Sequence, residues 1–272
     1  MISIITPSYN AERFIGKCIE NVAQQAFPGL EHIIMDAGST DKTVRIIAEA
    51  AAKYPHIRWI SEKDKGQSDA MNKGIALAAN PVIGFLNVDD FYETGALAFA
   101  CNFFTNAPAG TFLVGNCNVL KEDGSLYMVN KPYPVDAVPY MLDYTFPYNP
   151  SAYFYHKQLH QMAGLYQTAD HLTMDVDFIF RLLYKANIVY VNQTLGNYVM
   201  VASSKTMQEI SAGRNVENLK IIFARHLPGF PLSVRLNYWF QSSLGSNRGW
   251  IMYYLRHPTK LFGKLLGKSS SH

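Results

Sequence analysis

In its first ninety residues the chain alternates four times between a short apolar or β-branched run and a segment of helical period. The runs are Ile2-Ser-Ile-Ile-Thr6, Glu31-His-Ile-Ile-Met35, Ile57-Arg-Trp-Ile60 and Pro81-Val-Ile-Gly-Phe-Leu86. The helical faces between them are Phe14, Ile15, Cys18, Ile19 and Val22, then Val44, Ile47, Ala48 and Ala51, then the stretch 68–79. Such alternation predicts right-handed βαβ units, and so an α/β fold with a Rossmann-like, mostly parallel central sheet flanked by helices. Asn10 is predicted to cap the first helix, Thr40 or Asp41 to start the second, and Thr94 to cap one that runs through Phe99 and Phe103.

Each run ends in polar residues: Ser8-Tyr9-Asn10, Asp36, Glu62 with Asp64, and Asn87-Val88-Asp89-Asp90. In an open parallel sheet those ends share one edge, and ligands bind along it. Hard divalent cations take oxygen ligands, often one or two carboxylates plus substrate phosphates. The adjacent Asp89 and Asp90 therefore suit Mg2+ or Mn2+ with a diphosphate. The same acids could instead form an Asx turn and cap the next helix; four polar clusters on one edge favour the binding reading. Asp36 and Asp64 could accept hydrogen bonds from a ribose hydroxyl or a base N–H. Lys63 and Lys65 could meet phosphate or simply be solvated. There is no G-x-x-x-x-G-K-[ST] loop, and no G-x-G-x-x-G follows the first strand, which argues against P-loop and dinucleotide sites. Ser8 lacks a nucleophile elbow, so covalent serine chemistry has little support.

The middle of the chain is less regular. Thr111–Leu120 and Gly124–Val129 read as strands around a turn at Lys121-Glu-Asp-Gly124. Pro132, Pro134, Pro139, Pro147 and Pro150 punctuate a Tyr-rich connection. Ser151–Tyr155 reads as a strand, 156–163 as a helix ended by Gly164, 175–184 as a helix with acids in its first turn, and 188–191 as a strand. A transfer reaction needs a base for the incoming hydroxyl. Asp175 and Asp177 are candidates, and residues two apart do not share a helix face, so only one should face the site.

Ile4-Ile-Thr-Pro-Ser-Tyr-Asn10, Asp36-Ala-Gly-Ser-Thr-Asp-Lys-Thr43, Asp64-Lys-Gly-Gln-Ser-Asp-Ala-Met-Asn-Lys-Gly74 and Phe85-Leu-Asn-Val-Asp-Asp90 resemble the family 2 glycosyltransferases with a GT-A fold. A looser match follows at Gly164-Leu-Tyr166 and 175–182. The resemblance implies a nucleotide-diphospho-sugar donor and an inverting, single-displacement transfer. It implies nucleotide-sugar contacts from Thr6, Pro7, Ser8, Tyr9, Asp36, Gly38, Ser39, Asp64, Gly66, Asp69, Asn72, Lys73, Asn87, Val88 and Asp89. Asn87-Val88-Asp89 stands at the family's D-x-D motif, with Asp89 as metal ligand and Asn87 where many members carry an acid. Asp175 inherits the role of catalytic base, although Met174 replaces a Glu common in the family. Asp90 and Arg181 would support the site. On this reading residues 1–92 form a nucleotide-sugar-binding half and 93–210 an acceptor-binding half of one catalytic domain. Residues 211–272 form a helical extension outside the resemblance.

That extension is basic. From Arg214 onward nine Lys or Arg stand against the single acid Glu217, while acids outnumber bases in the first 213 residues. Lys260-Leu-Phe-Gly-Lys-Leu-Leu-Gly-Lys268 is amphipathic, and aromatics such as Tyr238, Trp239, Phe240 and Trp250 accompany it. This suits an anionic membrane surface; the aromatics could instead pack on the main domain. The first residues read as a strand rather than a leader, and no apolar run approaches the roughly 20 residues needed to span a bilayer. Three scattered cysteines suggest a reducing compartment. The expected setting is cytoplasmic and peripheral on the inner face of the membrane. The expected partners are a sugar donor and a lipid-linked or saccharide acceptor, with no nucleic acid. The alternatives are a nucleotidyltransferase of sugar-nucleotide metabolism and a non-catalytic nucleotide-sugar-binding module.

Overall fold

The computed structural model describes residues 1–169, 173–212, 214–249 and 251–252. The amphipathic stretch 260–268 and Trp250 of the sequence reading lie outside the described residues. The chain forms two compact units, 1–226 and 227 onward.

The first unit opens with strands β1 (Ile2–Ser8), β2 (Leu30–Asp36), β3 (Ile57–Ser61) and β4 (Val82–Phe85), linked by helices α1 (Ile15–Ala23), α2 (Thr43–Lys53) and α3 (Gln67–Leu77). All four strands are parallel, in the order β3-β2-β1-β4. Helices cover both faces, so the strands read as continuous apolar runs. Ile2 and Ile4 enter one core with Cys18, Val22 and Val82, while Ile34 meets Ile15, Ile19 and Ile47 in the other. The chain winds outward from β1 to β3, then crosses to the other side of β1 to lay down β4. The gap between the ends of β1 and β4 is thus a topological switch point. Gly74 lets α3 lie close on β1, since a Cβ there would stand 2.4 Å from Ile5 Cγ2.

Beyond β4 the sheet is mixed. It continues through β5 (Phe91–Tyr92), β6 (Thr111–Lys121), β7 (Leu126–Asn130), β8 (Tyr153–His156) and β9 (Asn187–Met200). The strand order is β4-β8-β6-β9-β5, with β7 paired to β6. Among these only the β6–β9 pairing is parallel. The intervening helices are α4 (Ala96–Asn106), α5 (Ala137–Leu142), α6 (Leu159–Ala163) and α7 (Met174–Leu182). Helices α8 (Lys205–Ser211) and α9 (Asn215–His226) close the unit, although the sequence reading placed α9 in the extension. Phe223 of α9 stacks on Phe180 of α7 at 5.2 Å. Asp177 of α7, 2 % exposed, accepts from His226 Nε2 at 2.8 Å, Arg225 Nη1 at 3.3 Å and Arg181 Nε at 2.9 Å. Burial would raise its pKa, but the His226 bond and the surrounding positive charges outweigh that and hold the carboxyl below its ordinary value. Asp177 is therefore a structural acid that ties α9 to α7.

Three local expectations are corrected. Asn10 does not cap α1; Phe14 is at the N-cap, and the Asn10 side chain instead accepts from Thr40 N at 2.9 Å, joining two loops. Thr94 does not cap α4; Gly95 stands there in the left-handed region, at φ 80°. The strand expected from Ser151 begins at Tyr153, because Asn149 caps a 3-10 turn over Pro150–Ala152. In the second unit, α10 (Leu232–Ser243) exposes Leu232, Leu236, Trp239 and Phe240 along one stripe. No helix among the described residues is long and apolar enough to cross a membrane.

Candidate active site

Strand register brings the predicted polar clusters to one edge. Ser8 pairs with Asp36, Asp36 with Ser61, and Phe85 with Ile5. The loops after β2 and β4 are two strand spacings apart, about 10 Å.

Each loop is fastened by its own side chains. Asp36 is 1 % exposed and fully engaged. Its Oδ2 accepts from Gly38 N at 3.1 Å, Ser39 N at 2.9 Å and Ser61 Oγ at 2.6 Å, and its Oδ1 accepts from Ser39 Oγ. It shapes the turn in which Gly38 takes φ 77°. Ser39 Oγ also accepts from Asn10 N at 2.8 Å, which ties the first two loops together. Thr6 turns its hydroxyl inward to His32 Nε2 at 2.9 Å. Ser8 Oγ is buried with no hydrogen-bond partner among the described residues, Pro7 is half-buried, and the Tyr9 ring is exposed. In the third loop Asp64 accepts from Gly66 N at 2.8 Å and Asp69 from Lys65 N at 3.1 Å. Lys73 is held by Glu62 at 2.7 Å and Asp69 at 3.6 Å.

The fourth loop separates its two acids. Asp90 is 3 % exposed and accepts from Asn149 Nδ2 at 2.7 Å, Asn87 Nδ2 at 2.9 Å and Val199 N at 3.1 Å. It binds the loop to β9 and to the turn before β8. Asn87 is spent in the same way: its Oδ1 takes Gln67 Nε2 at 3.0 Å while its Nδ2 serves Asp90. Asp89 is half-buried beside Val88 and makes no ion pair with a cationic side chain among the described residues. Burial raises the pKa of both acids, and for Asp90 the charge of Asp89 adds to the rise. Two adjacent carboxyls short of positive charge are what a divalent cation would relieve. Among the described residues no three His, Cys, Asp or Glu gather as a metal cage. A site with one carboxylate whose remaining ligands come from a diphosphate fits the residues present.

Asp175 stands at the start of α7, and contacts with α3 bring that end to the same corner. Ser68 Oγ donates to Met174 Sδ at 2.7 Å, next to the Gln67 that holds Asn87. Asn72 clamps Tyr166 by bonds of 2.9 and 3.0 Å to its carbonyl and N–H. Asp175 lies among Tyr153, Tyr155 and Tyr166, whose pKa values its charge raises. Burial pushes the Asp175 carboxyl up to about 6, against a lowering by the Tyr153 hydroxyl. Asp177, two residues on, faces the other way. Arg181 holds the loop before α7, donating to Ala163 O and, at 3.0 Å, to Leu165 O.

Gln67, Asn149, Tyr153 and Tyr198 were not foreseen as site residues. The Tyr198 hydroxyl is buried near Ser204 in the field of Asp90 and Asp89, and burial lifts it to about 12. Their only sequence signal is residue type, because their partners lie far along the chain. A cleft of about 440 Å³, lined by Ile75, Pro81, His156, Lys157 and His160 among others, opens at the opposite end of β4 and takes no part in this edge.

A parallel sheet with its switch point between β1 and β4, acids at that edge and a mixed second half is a GT-A fold, a class shared with solved glycosyltransferases. Residues 3–158 match glycosyl transferase family 2, and the chain belongs to that family. Over 117 residues it is 38 % identical to a chondroitin synthase from Escherichia coli; the match covers 39 % of this chain and 17 % of that protein. The crystal structure of Staphylococcus aureus TarS 1–349 in complex with UDP-GlcNAc has a TM-score of 0.67 at 17 % identity, covering 88 % of this chain and 71 % of that one. The mannosyltransferase PcManGT from Pyrobaculum calidifontis, in complex with GDP-Man and Mn2+, has a TM-score of 0.53 at 14 % identity, covering 98 % and 88 %.

Proposed function

We propose that the chain is an inverting glycosyltransferase. It moves a sugar from a nucleotide-diphospho-sugar to a hydroxyl of a saccharide or lipid-linked acceptor of surface-polysaccharide type. The observation that carries this reading is the placement of four strand-end loops and a buried carboxyl of raised pKa at one corner. The nucleotide lies along the ends of β1 to β3, with the exposed Tyr9 ring and the Gly38 and Gly66 turns on its flanks. Asp89 would hold Mg2+ or Mn2+, which supplies positive charge to the departing diphosphate. Asp175 takes the proton of the acceptor hydroxyl as that oxygen attacks the anomeric carbon. Attack opposite the leaving group in one displacement inverts the centre. The UDP-GlcNAc and GDP-Man of the structural relatives support a nucleoside-diphosphate sugar as the donor class.

A thermal-shift screen of nucleotide sugars with Mn2+ tests the reading, because a ligand that binds only the folded chain raises its melting temperature. At least one UDP- or GDP-sugar should stabilise the protein, and more so with Mn2+. A flat screen would count against the proposal.

We also propose that the second unit meets anionic lipid through the stripe Leu232, Leu236, Trp239 and Phe240, of which Trp239 is 68 % exposed. Apolar residues over basic sequence are the pattern of interfacial helices. The double variant Leu236→Glu, Trp239→Glu should fail to co-sediment with vesicles rich in anionic phospholipid that retain the parent. Equal retention would refute the membrane role.

A further inference from the structure

We infer that Tyr153 is a positioning residue for Asp175, its hydroxyl donating to the carboxylate because a row of buried side chains leaves it, among the described residues of this cluster, as the one available donor; the inference rests on Asp175 as the base. The row begins at His160. Its Nδ1 lies 2.9 Å from Gly164 O, and a carbonyl oxygen can only accept, so Nδ1 carries the proton. Burial lowers the His160 pKa to about 4, so the ring is neutral and Nε2 is an acceptor. Tyr155 Oη, 2.9 Å from Nε2, must therefore donate to it. The Tyr155 oxygen then accepts from Tyr166 Oη at 3.2 Å. That uses the Tyr166 proton, and Asn72 pins the Tyr166 backbone so that the order holds.

Tyr153 is the tyrosine of this cluster whose proton the row does not consume. Its ring lies 6.4 Å from that of Tyr155, and Phe178, one turn after Asp175 on α7, packs on Tyr155 and Tyr166 at 5.3 and 4.9 Å, which brings the carboxyl to the same cluster. The Tyr153 hydroxyl faces both Asp175 and Tyr166, and of the two the carboxylate is the stronger acceptor. Tyr153 Oη and Asp175 Oδ1 are both buried, and neither meets hydrogen-bond geometry with any group among the described residues. Contacts of this kind are often long in an empty site and tighten when substrate arrives. Among the described residues, the groups that face the carboxyl are Tyr153 and Tyr155 from β8, and Tyr166 from the loop before α7. His160 on α6 and Arg181 on α7 act through Tyr155, and Asp177 is turned to His226. Burial and Tyr153 thus oppose each other. Burial makes Asp175 basic enough to take a proton, and the phenol keeps it ionised at neutral pH.

The test reads the carboxyl directly. In protein carrying 13C-labelled aspartate, the Asp175 signal is identified by its loss in Asp175→Asn and followed through pH. Tyr153→Phe should move its midpoint up by about one pH unit, the usual size for one lost hydrogen bond to a carboxylate. Tyr140→Phe, which removes a buried hydroxyl bonded to Pro132 O outside the cluster, should leave the midpoint in place. Should Tyr153→Phe not fold, 3-fluorotyrosine at 153 keeps the shape and, as a stronger donor, should move the midpoint down. A midpoint unmoved by either change at Tyr153 overturns the inference. This outcome is separate from the role of Asp175 as base, which is read from turnover and donor binding in Asp175→Asn.

Discussion

Asp175→Asn should lower transfer by roughly a thousandfold while leaving donor binding nearly unchanged. Asparagine keeps the size of the side chain but cannot take up a proton at neutral pH. The loss should therefore appear in kcat, with the melting shift caused by donor preserved. The parent should show the matching pH dependence. The Asp175 carboxyl sits at about 6, so activity should fall about tenfold for each pH unit below that value and level off above it. The stability effect has the opposite sign. The raised pKa means that the ionised group opposes folding, a penalty absent below the ordinary carboxyl range near 4 and complete above about 6. Asp175→Asn should then melt at or above the parent at pH 7.5. A variant that melts earlier and loses donor binding would make Asp175 structural, and one that keeps transfer would leave the reaction without its base.

Asp89→Ala should abolish the part of donor binding that depends on a divalent cation. In isothermal titration the parent should bind a nucleoside diphosphate about a hundredfold more tightly with Mn2+ than with chelator, since a cation shared by a carboxylate and a diphosphate contributes several kcal/mol. In the variant the two titrations should coincide. Asp90 makes the contrast informative. It is buried, bonded to Asn87, Asn149 and Val199, and should matter for folding rather than for the cation. A parent indifferent to chelator, or an Asp89→Ala protein that still responds to Mn2+, would place the cation elsewhere or remove it from the account.

The parallel half of the fold was legible because it is built from local signals. Ile2, Ile4, Ile33, Ile34, Val82 and Ile83 are buried whichever face they take, so each strand reads as an apolar run bounded by a turn. The edge followed from topology, which places the ends of Ser8, Asp36 and Ser61 in register. The second half depends on contacts between distant residues. The strand Phe91–Tyr92 exists only because Gly196 and Asn197 return to pair with it. The helix Ala137–Leu142 contains Pro139 and sits in a stretch whose prolines read as loop. Ile188–Val191 was visible as a strand, but not its continuation to Met200, where Gly196 lies so close to Ser151 that a Cβ would stand 2.2 Å from Ser151 Oγ.

The site divides in the same way. Motif residues such as Asp36, Asp64 and Asp89 were found where they stand in sequence. Several serve to hold loops: Asp36 spends its carboxylate on Gly38, Ser39 and Ser61, and Asn87 is occupied at both ends of its amide. The separation of Asp175 from Asp177 followed from helix geometry, and the structure turns Asp177 to His226 and Arg181. Tyr153 and Asn149 could not be found this way. Asn149 meets Asp90 across 59 residues, and no spacing rule reaches that far.

The most direct measurement is a crystal structure of the protein with a nucleoside diphosphate and Mn2+, with the manganese located by its anomalous signal. One strong peak should lie within bonding distance of Asp89, with the diphosphate bridging from it toward the Ser8 and Gly38 loops and Asp175 across an open space. A peak remote from Asp89, or a nucleotide lodged at the opposite end of β4, would contradict that arrangement.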